Sequence, residues 1–442
     1  MLSIRSTERR YYALTFLFWF STALPMAVFI LLAQARGMSL AQIGLLSAIY
    51  SATIVLLEVP TGGLADMLGR GRVAALAELV TLAGWVLFLL SFSLPAFVAA
   101  FILNGIGRAL ASGSLEAWFV DSLLASDPDV DLHPRLARGN AVALAALGVG
   151  TVVGGAVVRA FSFLPPDGTG VLTPLASPGL IALPLRALLL LAILALVRDP
   201  PQRSSTARSG ATALKASLLG TLRAAVRLTA RRPVLLRLLG VTVTLGLAMS
   251  VIETFWQPRF AALLGKTPAL SILLGVLLAG AFLLGVVGNI AAPWLTRRWG
   301  VRPGTVCAVF HALRGALLIG LALQTSAIPS AILFWLVYMS QGVVLSTHRL
   351  LLNEQIPSTH RSSMLSIESL VSYLGGFAGS AGLGWVAQRC SIPVAWSLAG
   401  GLLLVSWVLY RQINSAREED REQATNIPGS ADAAADAGRS LG

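Results

Sequence analysis

This sequence is short of charge, of lysine, of cysteine and of the common enzyme signatures. Only 12% of its 442 residues are Asp, Glu, Lys or Arg, about half the fraction of an average soluble domain, which excludes an ordinary soluble chain. Lysine occurs only as Lys215 and Lys266, so arginine carries the positive charge, a habit of genomic base composition rather than of function. The two cysteines, Cys307 and Cys390, lie in apolar surroundings and indicate neither a disulfide framework nor a metal cluster. His311 and His348 have no second ligand at metal spacing, so no metal and no other cofactor is expected. The chain has no G-x-x-x-x-G-K-[ST], no H-E-x-x-H and no G-x-S-x-G, which argues against an enzyme. The formal net charge of +13 comes from arginines spread over short loops, not gathered into a groove, so nucleic acid is not an expected partner.

What the chain has instead is apolar length. It is 56% hydrophobic with a mean hydropathy of +0.77, and uncharged runs of roughly twenty residues recur, each enough to cross a bilayer as a helix. Spanning length places helices at about 11–34, 41–65, 73–92, 96–124, 139–161 and 176–198. A second set follows at about 234–257, 269–294, 303–323, 328–352, 363–388 and 392–411. The expected fold is an all-α integral membrane protein of 12 transmembrane helices in two pseudo-symmetric six-helix bundles, residues 1–198 and 234–411. Between them, 199–233 reads as a basic cytoplasmic linker, and 412–442 as a disordered cytoplasmic tail. The first apolar run, from Tyr11, lacks a small-residue cleavage site and reads as a retained helix. Arg70, Arg72, Arg135, Arg297 and Arg302 fall on the same side as both ends of the chain, with Arg36, Lys266 and Arg389 opposite. The basic excess puts both termini in the cytoplasm, in a multi-pass protein of the cytoplasmic (inner) cell membrane.

Between the second and third apolar runs stands Glu58-Val-Pro-Thr-Gly62-Gly-Leu-Ala-Asp66-Met-Leu-Gly69-Arg70-Gly-Arg72. Glycines let two helix ends approach, and a carboxylate beside arginines at a membrane face makes a breakable charge latch. This loop resembles the signature G-x-x-x-D-x-x-G-R of the major facilitator superfamily of secondary transporters. Gly62, Asp66, Gly69 and Arg70 fit it and Arg72 adds a basic residue, while Met67 and Gly71 depart from the basic pattern. The loop Pro293-Trp-Leu-Thr-Arg297-Arg298-Trp-Gly300-Val-Arg302 occupies the same place in the second half, with Arg297 opposite Asp66. An internal repeat of this kind suits the superfamily's architecture, and loss of the carboxylate in the second copy makes any latch asymmetric.

The fourth apolar run carries Arg108, Glu116 and Asp121. Ionisable groups in a spanning helix must face protein or a wet cavity. Arg108 resembles the superfamily's fourth-helix arginine. Glu116 lies about 12 Å further along the axis, too far for direct pairing but on a broadly similar face, and the alternative for both is a structural interhelical pair. Asp121 stands where an acid commonly meets the loop arginine in that family, so Arg70 or Arg72 is expected to pair with it as a latch. In the fifth run, Gly150-Thr151-Val-Val-Gly154-Gly155 resembles the end of the antiporter motif with threonine in place of its proline; small residues so spaced also serve plain helix packing. Glu253, beside Trp256 and Gln257, suits substrate contact or an outer gate, or else an ion pair with Arg259. Glu368, behind an Arg361-Ser opening that resembles the family's eleventh helix, suits an inner gate or proton site. The resemblance implies peripheral third, sixth, ninth and twelfth helices, which makes Glu78, Arg186 and Arg314 structural partners.

The expected function is secondary active transport by rocking two halves around a mid-membrane site: proton-coupled efflux of small hydrophobic or amphipathic compounds. Burial raises a carboxyl pKa and an opposed arginine lowers it, so Glu116 with Arg108, then Glu58 or Glu368, are the coupling candidates. The expected partners are a small-molecule substrate, protons and the lipid bilayer, with the protein a monomer. Import or facilitated movement of a small metabolite is the alternative, and a polytopic enzyme or non-transporting sensor the alternative of another class.

Overall fold

A computed structural model describes residues 3–166, 170–199, 229, 232–265, 267–356 and 361–425. The described chain holds twelve helices long and apolar enough to cross a membrane. The first six are α1 (Ile4–Met26, resuming as Phe29–Ala35), α2 (Leu40–Leu68), α3 (Arg70–Leu90), α4 (Leu94–Ala111 and Ser114–Ser126), α5 (His133–Ala160) and α6 (Ser177–Leu196). The second six are α7 (Pro233–Leu264), α8 (Leu270–Trp299), α9 (Pro303–Leu323), α10 (Ala327–Glu354), α11 (Arg361–Ala378, a π-helical turn Gly379–Leu383, then Gly384–Arg389) and α12 (Ile392–Thr425).

Proline opens several of these helices. It stands in the first two positions of α4 to α9 with the exception of α8, where its missing N–H leaves no bond unmade and its fixed φ suits the first turn. Apolar length alone understates the helices, because their ends are charged. α1 begins at Ile4 and takes in Arg5, Glu8, Arg9 and Arg10, and α12 runs on to Thr425. Residues 412–425, expected to begin a disordered tail, are therefore helical. Residues 426–442, the linker residues 200–228, 230 and 231, and the side chains of Gly62, Asp66 and Arg361 lie outside the described residues.

In the first half α1 packs on α5 and α6, α3 on α4 and α6, and α2 on α4; in the second, α9 packs on α12 and α10, α8 on α10, and α7 on α11 and α12. Two seams join the halves, α2 against α11 and α5 against α8. At the end of the bundle away from the termini, one apolar cluster spans both halves and includes Val28, Phe88, Phe255 and Trp396. At the end carrying the termini the apolar core is split. Tyr11, Trp118 and Ile193 centre one cluster in the first half, and Leu238, Leu351 and Tyr410 centre another in the second. Apolar burial drives packing roughly in proportion to area removed from water, so a shared core at one end and separate cores at the other describe two halves closed at the first end and parted at the second.

Candidate functional site

The halves part around a small recess lined by Ile54 and Glu58 of α2, Arg108 and Ser112 of α4, and Ser369 and Tyr373 of α11. Both halves contribute, so the recess lies between them. Ser369 donates a hydrogen bond of 2.7 Å to Glu58 Oε1 across the seam, while Glu58 Oε2 is buried without a hydrogen-bond partner among the described residues. Arg108 faces Tyr373, Tyr50 and Glu58. It is accessible from the recess.

The structure sets Arg108 and Glu116, named together as the first coupling candidates, in different surroundings. Their shared face assumed a continuous fourth helix, but α4 breaks at Ser112–Gly113, with Gly113 left-handed at φ +72°. Glycine alone among the residues enters that region without steric cost. The break re-aims everything after it. Arg108 turns toward Glu58, whereas Glu116 is exposed in the first turn of the second segment and has Tyr11 of α1 as its electrostatic neighbour. Irregular backbone at membrane depth is tolerated where it lines a cavity, and Ser112 does line this one.

Glu253 of α7 is accessible and lies within electrostatic reach of Tyr50 of α2 and Tyr338 of α10. The alternative partner Arg259 is used elsewhere, donating to the Gln324 carbonyl; six residues apart on one helix, the two side chains point to different faces. Glu368 of α11 is mostly buried and stands 3.9 Å from His348 Nε2. Gln257, noted as the amide neighbour of Glu253, has a structural task. Its fully buried amide accepts from Ile30 N–H at 3.1 Å and donates to the Met26 carbonyl at 2.9 Å. It therefore supplies the backbone partners that α1 loses where it breaks after Pro25, a requirement inside a membrane protein.

At the termini end, Arg70 Nε donates to Asp121 Oδ2 at 2.6 Å; Arg72 is exposed, so of the two expected partners it is Arg70 that meets the acid. Gly69, at φ +91°, makes the N-cap of α3 without a side chain of its own. The missing cap comes from Asp199, whose carboxylate accepts from Gly71 N–H at 2.8 Å. A β-carbon at Gly71 would press on Val197, which explains why glycine interrupts the basic run. Of the packing glycines, Gly150 and Gly154 lie against α1, and Gly155 against Ser271 of α8, whose hydroxyl donates to the Gly155 carbonyl at 2.8 Å. Gly155 lets two backbones touch across the seam.

Away from the recess, Glu78 and Arg186 form an ion pair of 2.8 Å between α3 and α6, each 2% exposed, with Thr22 accepting a second guanidinium bond at 2.7 Å. Sequence reasoning did not single out Tyr50, Ser369, Tyr373 or Asp199. The first three carry only the weak signal of a hydroxyl in an apolar helix, and Asp199 only that of a carboxylate opening a linker.

The sequence matches the family model described as Major Facilitator Superfamily over residues 11–380. No curated protein matches it. Solved structures share the fold at low identity. The nucleoside transporter NupG is 14% identical with a TM-score of 0.71, covering 93% of this chain and 99% of its own. A POT family transporter in complex with a thioalcohol-conjugated peptide is 13% identical with a TM-score of 0.70, covering 92% and 96%. The human organic anion transporter MFSD10 (TETRAN) is 17% identical with a TM-score of 0.59, covering 93% and 100%. With twelve spans in two halves and a family match over most of its length, this chain belongs to the Major Facilitator Superfamily of transporters.

Proposed function

We propose that this transporter is a proton-coupled exporter of small hydrophobic or amphipathic compounds, working by alternating access around the Arg108 recess. One observation carries the reading: a charged couple, Arg108 and Glu58, faces a recess that both halves build. A solute entering it displaces water from the couple, and rocking changes the distance between α4 and the α2–α11 seam. An arginine that approaches or leaves a carboxylate changes that group's hold on a proton, so Glu58 replaces Glu116 as the first coupling candidate. The parted end carries the termini and most loop arginines, which supports an inward-facing state of the inner membrane with both termini cytoplasmic. We take the working unit as a monomer, since the recess is formed within one chain.

A second reading, import or facilitated passage of a small polar metabolite, is favoured by the hydroxyls of Ser112, Ser369 and Tyr373 around the couple and by neighbours described as nucleoside and peptide-binding transporters. Purified protein in liposomes under an imposed pH gradient separates the two, with ethidium and a radiolabelled nucleoside as probes. Export predicts ethidium movement that follows the gradient and falls about a hundredfold in Glu58→Gln and Arg108→Gln, the order of a lost buried charge contact. Nucleoside flux with static ethidium would replace the first reading by the second.

A further inference from the structure

Gln257 of α7 holds a particular pair of backbone atoms. It accepts from Ile30 N–H at 3.1 Å and donates to the Met26 carbonyl at 2.9 Å. Residues 26 and 30 are i and i+4, the pair that bond to each other in a continuous α-helix. A buried side-chain amide of the second half is thus inserted into the hydrogen-bond ladder of a helix of the first half, one of the few ways in which a helix is sharply kinked. The insertion is local. Val28 N–H still bonds to the Pro25 carbonyl, and Leu32 N–H to the Val28 carbonyl, each at 3.0 Å. Between the two segments of α1, Ala27 keeps helical angles at φ −76°, and Val28 alone leaves them at φ −140° and ψ −5°. No positive φ has to be undone for Val28 to rejoin the helix. Other polar contacts fasten the same end across the halves: Thr254 donates to the Ser47 hydroxyl at 3.2 Å, and Leu40 N–H to Gln388 Oε1 at 2.9 Å. Once parted, these groups turn to water. Met26 and Ile30 have each other.

We propose that α1 is a two-state hinge worked by the Gln257 amide. With the closed end shut, the amide is inserted and α1 is broken. As α7 withdraws, Ile30 N–H passes from Gln257 to the Met26 carbonyl, the ladder closes and α1 becomes continuous. The freed amide meets the water that enters as that end opens. Each backbone group keeps a partner in both states, which a helix inside a membrane requires. Straightening also re-aims the segment Phe29–Ala35, whose Ile30 and Leu32 belong to the apolar cluster shared with Phe255 of α7. Amide withdrawal and loosening of the shared core are therefore one movement. The hinge rests on the alternating access proposed above, and on neither the substrate nor the proton of that reading.

The test uses the full-length protein in lipid nanodiscs with nitroxide labels on Phe163→Cys and Ile328→Cys, one exposed position of each half at the closed end. The exposed Cys390 is replaced by serine and the buried Cys307 is kept. Pulsed dipolar spectroscopy reads a short distance when that end is shut and a long one when it is open, and hydrogen–deuterium exchange reads the peptide around 26–32. Gln257→Met, close in size but without the amide, raises the long-to-short ratio about tenfold, the order of one to two net hydrogen bonds lost from the shut state alone. Exchange at 26–32 stays within about twofold of wild type, because the closed ladder protects it. Faster exchange there at unchanged distances makes the amide a plain cap and overturns the hinge. Phe29→Pro acts in the opposite direction, since proline suits the first position of the separate segment but not the interior of a continuous helix. In a Gln388→Leu background, which loosens the same end, it lowers the long population about tenfold. If Gln257→Met does not fold, Phe29→Pro decides alone, and an unchanged ratio overturns the hinge. Lengthening in Gln388→Leu or Thr254→Val without lengthening in Gln257→Met overturns the hinge and leaves alternating access standing. A pair that stays short in every variant overturns both.

Discussion

The two halves share a fold and treat buried charge in opposite ways. In the first half Glu78 and Arg186 neutralise each other at 2.8 Å with both side chains sealed from solvent. In the second, the matching helices α9 and α12 enclose Arg314, which has no hydrogen-bond partner among the described residues and is set among His311, Ser406 and Tyr410. A charge already paired inside one half is indifferent to what happens in the cavity. One left uncompensated responds to any carboxylate near it that gains or loses a proton. The first half thus reads as the body built around internal staples, and the second as the one that leaves a buried cation sensitive to its surroundings.

The sharpest way to break that contrast is to unbalance the first half. Glu78→Ala leaves Arg186 buried and alone, and breaking a buried pair from one side costs about 3–5 kcal/mol. The expected outcome is a fall in melting temperature of roughly 10 °C or loss of folded protein, followed by size exclusion in detergent. Replacing both members, as Glu78→Leu with Arg186→Met, recovers most of the loss because the desolvation cost goes with the charges. If Glu78→Ala melts like wild type, the first half is no better stapled than the second and the contrast fails.

Why the sequence shows the frame and hides the site follows from the same physics. Spanning length is a property of a continuous run, so all twelve helices can be placed from hydropathy, and Gly69-Arg70 with Asp121 is legible because charges at a membrane face stand out. The break at Ser112–Gly113 is not, because one glycine in an apolar run changes hydropathy little. Yet that break swings Glu116 away from Arg108 and leaves Glu58 in its place. Gln257 was visible as an amide in an apolar helix. Its partner is a gap in α1 more than two hundred residues earlier, which no local pattern encodes. Arg314 was visible as a charge on an apolar helix, but that it lacks a hydrogen-bonded counter-ion among the described residues is a fact about its surroundings in space.

The latch at the parted end tests the contrast at lower amplitude. Arg70 and Asp121 are each a third or more exposed, and exposed pairs contribute between zero and about 1 kcal/mol. Asp121→Asn is expected to leave the melting temperature within about 2 °C of wild type while changing the rate of probe movement in liposomes. A stability loss as large as that of Glu78→Ala would make Arg70–Asp121 a staple and not a latch.

The smallest effect belongs to Asp199, which joins the first residues after α6 to the start of α3. Its carboxylate accepts from Gly71 N–H at 2.8 Å at a helix start whose N-cap glycine offers no side chain. Capping of this kind is worth about 1 kcal/mol, and a negative charge at a helix N-terminus adds a few tenths more. Asp199→Ala is expected to cost about 2–3 °C in melting temperature, and Asp199→Asn less, since the amide oxygen still accepts the bond. Amide exchange at Gly71 should speed up in the alanine variant alone. Because Trp118 of α4 also donates to the neighbouring Arg198 carbonyl at 3.0 Å, the same short segment touches both helices that carry Arg70 and Asp121. If Asp199→Ala alters probe movement as much as Asp121→Asn does, the cap belongs to the latch; if only Gly71 exchange responds, it is a local cap.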